Sequence, residues 1–497
     1  MIGNSMGNGT RMRNRLIKRV CSTASAAALL TSCGGGGGAT PAPAPPSANR
    51  PPVFSSAATA SPIENTAVSF YQAVASDPDG TAITYAISGG ADAARFVIEG
   101  DRLRFAAPAN FDLPGDSDED NVYLVQISAS DGTAATPLDL RITVTNDREG
   151  VALHRIATGF DQPVGLVAIP GDTRFFVPER NGRIYLFDPA TGTKTLFFSL
   201  SVSTLGEGGL AAITPMADYA SSGSFVVLFT SSNGFFLASV GRRSGTFGTP
   251  ELTAGTIVSA SLPAGASATG WLQRAPDGKI YIATSDAIGA TDTSLGSLSA
   301  TSVFGKLFVV EPNPDPFAGA SPQYFIARRI AGGLRDPRGG TFFDGRLLLA
   351  DRGADTRHEL NAISVTAGGN FGWPYKEGTI TVRAGAPTGV IDPALEYRYG
   401  TSAGAGTGIV GGVVYRGPIA SLAGQYVFAD RRGEVFATLA SRLTGTTLVT
   451  ASQIERRKAD FAPDAGTLNQ PAAVTEDAAG NVYIVDAGGD IFRVQGG

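Results

Sequence analysis

The chain of 497 residues is 43% hydrophobic and 17% charged, with 64 Gly and 30 Pro, which excludes wholesale disorder and disfavours a helical bundle. Net charge is -5, yet residues 1–33 carry five basic groups and residues 51–150 carry fifteen acidic against five basic ones. A basic nucleic-acid footprint is therefore missing after the first thirty residues, and two Cys with two His exclude zinc sites of the Cys/His type and any disulfide framework. Metal, if bound, must be held by oxygen, and an all-β chain is expected.

Arg13, Arg15, Lys18 and Arg19 precede a short apolar run, Val20 to Leu30, and Leu30-Thr31-Ser32-Cys33 follows it. That order builds a secretory signal. The four residues resemble the lipobox of bacterial lipoproteins, which implies cleavage before Cys33, acylation of its thiol and attachment to a membrane. Residues 34–50, rich in Gly, Pro and Ala, read as a flexible to extended tether. The expected location is outside the cytoplasm, at the outer membrane or cell surface, on a lipid anchor.

Between residues 51 and 149, short alternating runs such as Ile83 to Ile87, Phe96 to Ile98, Leu103 to Phe105, Val122 to Ile127 and Leu140 to Val144 alternate with turn signals. About seven strands in a hundred residues predict a β-sandwich. Acidic groups cluster where strands end, and hard cations need several oxygen ligands from separate loops. The segment resembles a bacterial cadherin-like domain at Pro62-Ile63-Glu64-Asn65, at Asp77 with Asp79 and at Asn146-Asp147. The resemblance implies calcium, with Glu64, Asp77, Asp79, Asp131 and Asp147 as candidate ligands. Such domains normally repeat, so with a single copy the cage is either completed by the next domain or left weak. Asp112, Asp116, Asp118, Glu119 and Asp120 read instead as a solvated loop.

From residue 150 to 497 a strand-turn-strand pattern recurs six times, centred on Phe175, Phe225, Ile280, Leu347, Tyr426 and Val482. Radial repetition protects sheet edges, so a six-bladed β-propeller following the N-terminal cadherin-like β-sandwich is the expected architecture. The Gly runs lie in turns and open no helix, which argues against a phosphate-binding loop.

This region resembles the soluble pyrroloquinoline-quinone-dependent sugar dehydrogenases, the glucose/sorbosone dehydrogenase family. The resemblance rests on Gly206-Glu207-Gly208-Gly209-Leu210, Pro276 to Thr284, Gly333 to Gly339, Ala350-Asp351-Arg352-Gly353 and Gly369-Asn370-Phe371-Gly372-Trp373-Pro374. It implies hydride transfer from a sugar to the quinone, with a His as general base. That position is Ser267 here, a poor base at neutral pH. Asp286 matches the aspartate that orients the base, and Glu207 the polar residue facing the substrate. Arg335 and Arg431 match cations against the quinone carboxylates, and the carbonyls of Gly353 and Ala354 match the ligands of a second calcium. Leu468-Asn469-Gln470-Pro471 stands where the family has Arg-x-Arg, so the quinone loses two bidentate partners. His358 is expected in the turn before Glu359 and is not expected to replace the base. Two functions follow: a propeller that binds carbohydrate or a surface protein with impaired catalysis, or an active quinone-dependent oxidoreductase. A third reading, glycoside hydrolysis by Glu207, Asp286 and Asp351, needs two carboxylates at a fixed separation.

Overall fold

Alternation dictates the first of the folded layers. In Val122–Ser130 every second side chain is buried, and Tyr123, Val125 and Ile127 meet Phe96, Leu103, Phe105, Leu140 and Ile142 in one core. In this computed structural model, which describes residues 47–243, 249–287, 296–313 and 324–497, that core lies between two sheets. One sheet orders Thr59–Ala60, Ala135–Thr143, Val122–Ser130 and Thr84–Gly89; the other orders Tyr71–Gln72, Arg102–Phe105 and Phe96–Glu99. Phe105 ties them, its ring centroid 5.1 Å from that of Tyr123 across the core and 4.9 Å from that of Phe96 on the neighbouring strand of its own sheet. The expected signal, Cys33 and most of the expected tether lie outside the described residues.

Among its described residues, the remaining chain builds six sheets of four or five strands, antiparallel except where Gly369–Asn370 pairs parallel with Phe325–Gly332 in the third, and one two-stranded hairpin, Lys376–Glu377 with Ile380–Thr381. The first holds Val167–Ala168, Phe175–Pro178, Arg183–Asp188 and Thr193–Ser199; the second begins at Leu210–Pro215, the third at Gly270–Arg274, the fourth at Pro337–Phe343 and the fifth at Ile409–Val414. The sixth orders Pro471–Glu476, Val482–Asp486, Ile491–Gly496 and then Val151–Ala157, so that its outer strand comes from the start of the region. Pairing Val151 with Gly496 joins the two ends of the ring through backbone hydrogen bonds.

Packing shows that the sheets form a circle. Phe176 and Ile184 of the first sheet bury against Phe225 and Val227 of the second, and Leu228 and Phe236 of the second against Ile282 and Phe308 of the third. Further cores join the third to the fourth through Leu307 and Leu349, and the fourth to the fifth through Leu348 and Phe428. Val435 and Ile484 join the fifth to the sixth, and Val485 and Val177 the sixth to the first. First strands of all six line a central cavity of about 480 Å³. Where the first strands of the fourth and fifth sheets approach each other, a Cβ on Gly411 would lie 2.7 Å from the Gly339 Cα, so glycine is required on spatial grounds as well as by its φ of +93°. No helix among the described residues is long and apolar enough to cross a membrane.

Sandwich and ring lie within one compact unit, Arg50 to Gly497. The acidic loop of the sandwich differs from the expected solvated one: Asp112 and Asp116 are buried, whereas Asp118, Glu119 and Asp120 are exposed. Asp116 accepts from the Asp120 and Asn121 N–H groups, and Asp112 faces the ring.

Candidate active site

Loops that enter first strands and loops that follow second strands open on the same end of a radial sheet, and here they enclose a pocket of about 490 Å³. Glu207 precedes the second sheet, residues 263–267 precede the third, and Asp286 follows Ile280–Thr284. Arg335, Asp336 and Arg338 enter the fourth, and Arg352 follows Arg346–Asp351. The structure thus brings Glu207, Ser267, Asp286 and Arg335 together around one pocket. Arg431 reaches its rim by bonding Glu207.

Glu207 is held by three guanidinium groups: Arg338 at 3.0 Å, Arg352 at 3.3 Å and Arg431 at 3.1 Å. Burial pushes its carboxyl up, but these arginines outweigh burial and hold it well below the usual carboxylate range. Beneath it, buried Asp336 meets Arg338 at 2.9 Å and Arg352 at 2.6 Å. Its carboxyl is also lowered, because Arg338, Arg352 and Arg335 overcome the effect of burial. Asp336, Arg338 and Arg352 were not singled out by sequence, although all three lie inside the quoted motif runs. Their signal was charge recurring at a pocket-lining turn.

The Ser267 Oγ accepts the Glu207 N–H at 3.1 Å, so the hydroxyl braces the loop that positions Glu207. Asp286 Oδ2 accepts from Trp373 Nε1 at 2.6 Å, and the Arg335 guanidinium lies 5.6 Å from the Trp373 ring centroid. Trp373 is therefore a positioning residue that the motif contained without its role being legible.

His358 corrects an expectation. It lies within the strand Arg357–Ser364 and is fully buried, not in a turn. Its Nδ1 accepts from the Gly353 N–H at 3.2 Å, which leaves Nε2 to donate to the Gly406 carbonyl at 3.2 Å. Burial lowers it to about 4, against the charge of Asp430. The unfolded chain protonates near pH 6.5 and the folded one only near 4, so the stability His358 gives is complete above the first value and lost as pH falls toward the second. Buried Asp351, pushed up to about 7 by burial, acts with the opposite sign: its contribution is lost as pH rises through that value. Comparison with a His358→Gln variant isolates the histidine. In urea melts, the wild type is expected to lose about 2 kcal/mol more than the variant between about pH 7 and about pH 5; equal losses would refute the assignment.

The hydrolytic triad does not assemble. Asp351 accepts the Arg335 and Asp336 N–H groups, at 2.9 Å and 2.5 Å, below the pocket and outside its lining. The expected propeller calcium fits poorly as well. The Gly353 carbonyl accepts from Arg335 Nη1 at 2.9 Å, so a guanidinium faces the oxygen a calcium would need. The adjacent Ala354 N–H bonds Glu377, which also accepts the Thr356 N–H at 2.9 Å. Asn469 and Gln470, in place of Arg-x-Arg, donate their N–H groups to Asp486 at 2.9 and 2.7 Å and carry no charge toward the pocket.

A sequence profile described as Glucose / Sorbosone dehydrogenase matches residues 160–428. The chain belongs to this family. Among solved structures, the fold is similar to the pyrroloquinoline-quinone-bound aldose sugar dehydrogenase of Streptomyces coelicolor, 24% identical, with a TM-score of 0.53 over 69% of this chain and 98% of that one. It is also similar to a putative glucose dehydrogenase of Thermus thermophilus, 21% identical, TM-score 0.54, over 70% of this chain and all of that one. These likenesses are of fold, and they make the ring a β-propeller of the sugar-dehydrogenase type. The HIPL2 protein of Arabidopsis thaliana is 28% identical over 212 residues, 35% of this chain and 30% of that protein's length. At the positions that the resemblance assigned, this pocket holds Asp286, Glu207 and Ser267.

The sandwich ligands predicted from sequence do not converge on one point. Glu64 accepts the Asp147 N–H at 3.2 Å and the Phe111 N–H at 2.9 Å at one end of the sandwich. Asp77, Asp79 and Asp131 sit at the other, with the nine-residue strand Val122–Ser130 running between, a span of about 30 Å. Asp79 binds Arg50, Asp77 accepts the Asp79 and Thr81 N–H groups, and Asp131 accepts those of Thr133 and Ala134.

Proposed function

We propose that this protein is an exported, lipid-anchored carbohydrate-binding protein, built as one cadherin-like sandwich carrying a six-bladed propeller whose family oxidation step is impaired. The anchor would be Cys33. The observation that carries the reading is the hydrogen bond from the Glu207 N–H to Ser267 Oγ: the position of the base holds a hydroxyl already engaged in shaping the loop. A serine hydroxyl titrates far above neutrality, whereas taking the proton from the sugar hydroxyl needs a base tuned near the operating pH. Neither histidine supplies one, since His358 is buried between two backbone partners and His154 pairs with Asp464 on the sixth sheet.

What remains is suited to recognition. Asp286 and Glu207 line the pocket with carboxylates, Arg335, Arg338 and Arg352 line it with guanidinium groups, and the volume suits a small saccharide unit. The quinone and its calcium are left out of this reading because Gly353 faces Arg335 and Arg431 is turned to Glu207. The second reading, an active pyrroloquinoline-quinone-dependent oxidoreductase acting on sugars or polyols, is favoured by the retained Asp286 and by family membership.

Calorimetric titration of the purified protein with a panel of neutral and acidic oligosaccharides tests the first reading. At least one saccharide is expected to bind, and Asp286→Ala to weaken it roughly tenfold through loss of a charged hydrogen-bond acceptor. Binding that is indifferent to Asp286, or no binding across the panel, would count against a saccharide site in this pocket.

A further inference from the structure

Where the sandwich meets the propeller, four acidic side chains surround one arginine. Arg457 follows the outer strand Glu455–Arg456 of the fifth sheet and is 1% exposed. Its Nε lies 2.6 Å from Asp460 and 3.1 Å from Asp112 of the sandwich. Its Nη1 lies 2.6 Å from Glu149, in the connecting segment, and 3.2 Å from Glu455. Glu64 adds a fifth charge, acting on Asp112. Neighbouring bonds tie the same place: Arg456 N–H donates to the Asp112 carbonyl at 2.7 Å, Asn146 Nδ2 to Asp460 at 2.7 Å, and Arg148 Nη2 to the Asp460 and Ala462 carbonyls at 2.9 and 2.7 Å.

The carboxylate oxygens of Asp112, Glu149 and Asp460 lie within 4.8 Å of one another, a separation at which a divalent cation could bridge them. The cadherin-like resemblance would place calcium at this boundary. Calcium, however, requires oxygens at about 2.3–2.6 Å on all sides, and here Nε already stands against both aspartates. One guanidinium with five N–H donors fills the cage from within. It does not neutralise the cage: Asp112 Oδ1 is buried without a hydrogen bond, and burial, with Asp460 and Glu64 adding, keeps the Asp112 carboxyl raised.

We infer that Arg457 is the resident cation of the sandwich–propeller junction, a tethered guanidinium in the position a divalent ion would occupy, and that its removal converts the junction into a divalent-cation site. The junction then holds its geometry whatever the calcium concentration outside the cell, so the pocket stays fixed relative to the sandwich. The same cage with a neutral residue at position 457 has four or five carboxylates and no counter-ion, which is the composition of an extracellular calcium site.

Hydrogen exchange on the full chain, read at the amides of 111–112, 147–149 and 456–461, tests this. In the wild type, protection there is expected to be equal in chelator and in millimolar calcium. Arg457→Met is expected to lose protection at least tenfold in chelator and to regain it in calcium, while Arg457→Lys, which keeps a charge with fewer donors, loses less and gains little from calcium. Wild-type protection that falls in chelator overturns the inference. So does an Arg457→Met protein that loses protection and recovers none in calcium. If Arg457→Met does not fold, the wild-type and Arg457→Lys comparisons decide: calcium dependence in either refutes it.

Discussion

Supplied with pyrroloquinoline quinone, calcium and an aldose, the wild-type protein is expected to reduce dye about 10²- to 10⁴-fold more slowly than a family member with histidine at the Ser267 position. The factor is the usual contribution of a positioned general base. Two features of the pocket add to it. Asp286, which the resemblance matches to the aspartate that orients that base, here accepts the Trp373 indole N–H at 2.6 Å, and neither histidine lines the pocket. Arg431 and Arg335, whose donors would meet the quinone carboxylates, already serve Glu207 and the carbonyls of Arg352 and Gly353. Dye-linked turnover under saturating cofactor measures the outcome. A sugar-dependent rate within tenfold of the histidine-bearing relative, abolished by Asp286→Asn, would overturn the non-catalytic reading and restore the oxidoreductase.

The fold was largely legible because its determinants are local. Each hydrophobic run with a Gly or Asp turn, such as Gly278-Lys279-Ile280-Tyr281, became a strand of the expected sheet, and the recurrence of such runs around six sheets carried the ring. The pocket was partly legible: Glu207, Ser267, Asp286 and Arg335 were placed by motif position, and all four line it. What escaped were partnerships between distant segments. Arg338, Arg352 and Arg431 all reach Glu207, 131, 145 and 224 residues away in sequence, and no local pattern announces which carboxylate a guanidinium will choose. The acidic loop misled for the same reason. Asp112 looks like one of five solvated carboxylates until the fifth sheet brings Arg457 against it, 345 residues later in the chain. The calcium set also failed to converge because strand-end acids at both ends of a sandwich look alike in sequence, though a whole strand separates them.

Asp336→Ala is expected to lower the stability of the protein by about 3–5 kcal/mol, the cost of leaving buried guanidinium groups without their partner. The argument is geometric. Asp336 is 5% exposed and bonds both Arg338 and Arg352, whose remaining carboxylate, Glu207, sits at the solvent-facing rim where attraction is screened. Removal of Asp336 therefore strands two positive charges beneath the pocket with one half-exposed counter-ion between them. The double variant Asp336→Leu with Arg338→Met takes away one charge of each sign, and apolar replacements of a buried pair are often close to neutral, so it should cost less than the single change. Guanidinium-chloride melts of the wild type, the single and the double variant give the comparison directly. A single variant within about 1 kcal/mol of wild type, the range of an exposed ion pair, would mean that the arginines are solvated in place. The pocket floor would then be a loose ionic rim. The predicted order, with the single variant the least stable, would make Asp336 the residue that holds Arg338 and Arg352 in position under Glu207 before any ligand arrives.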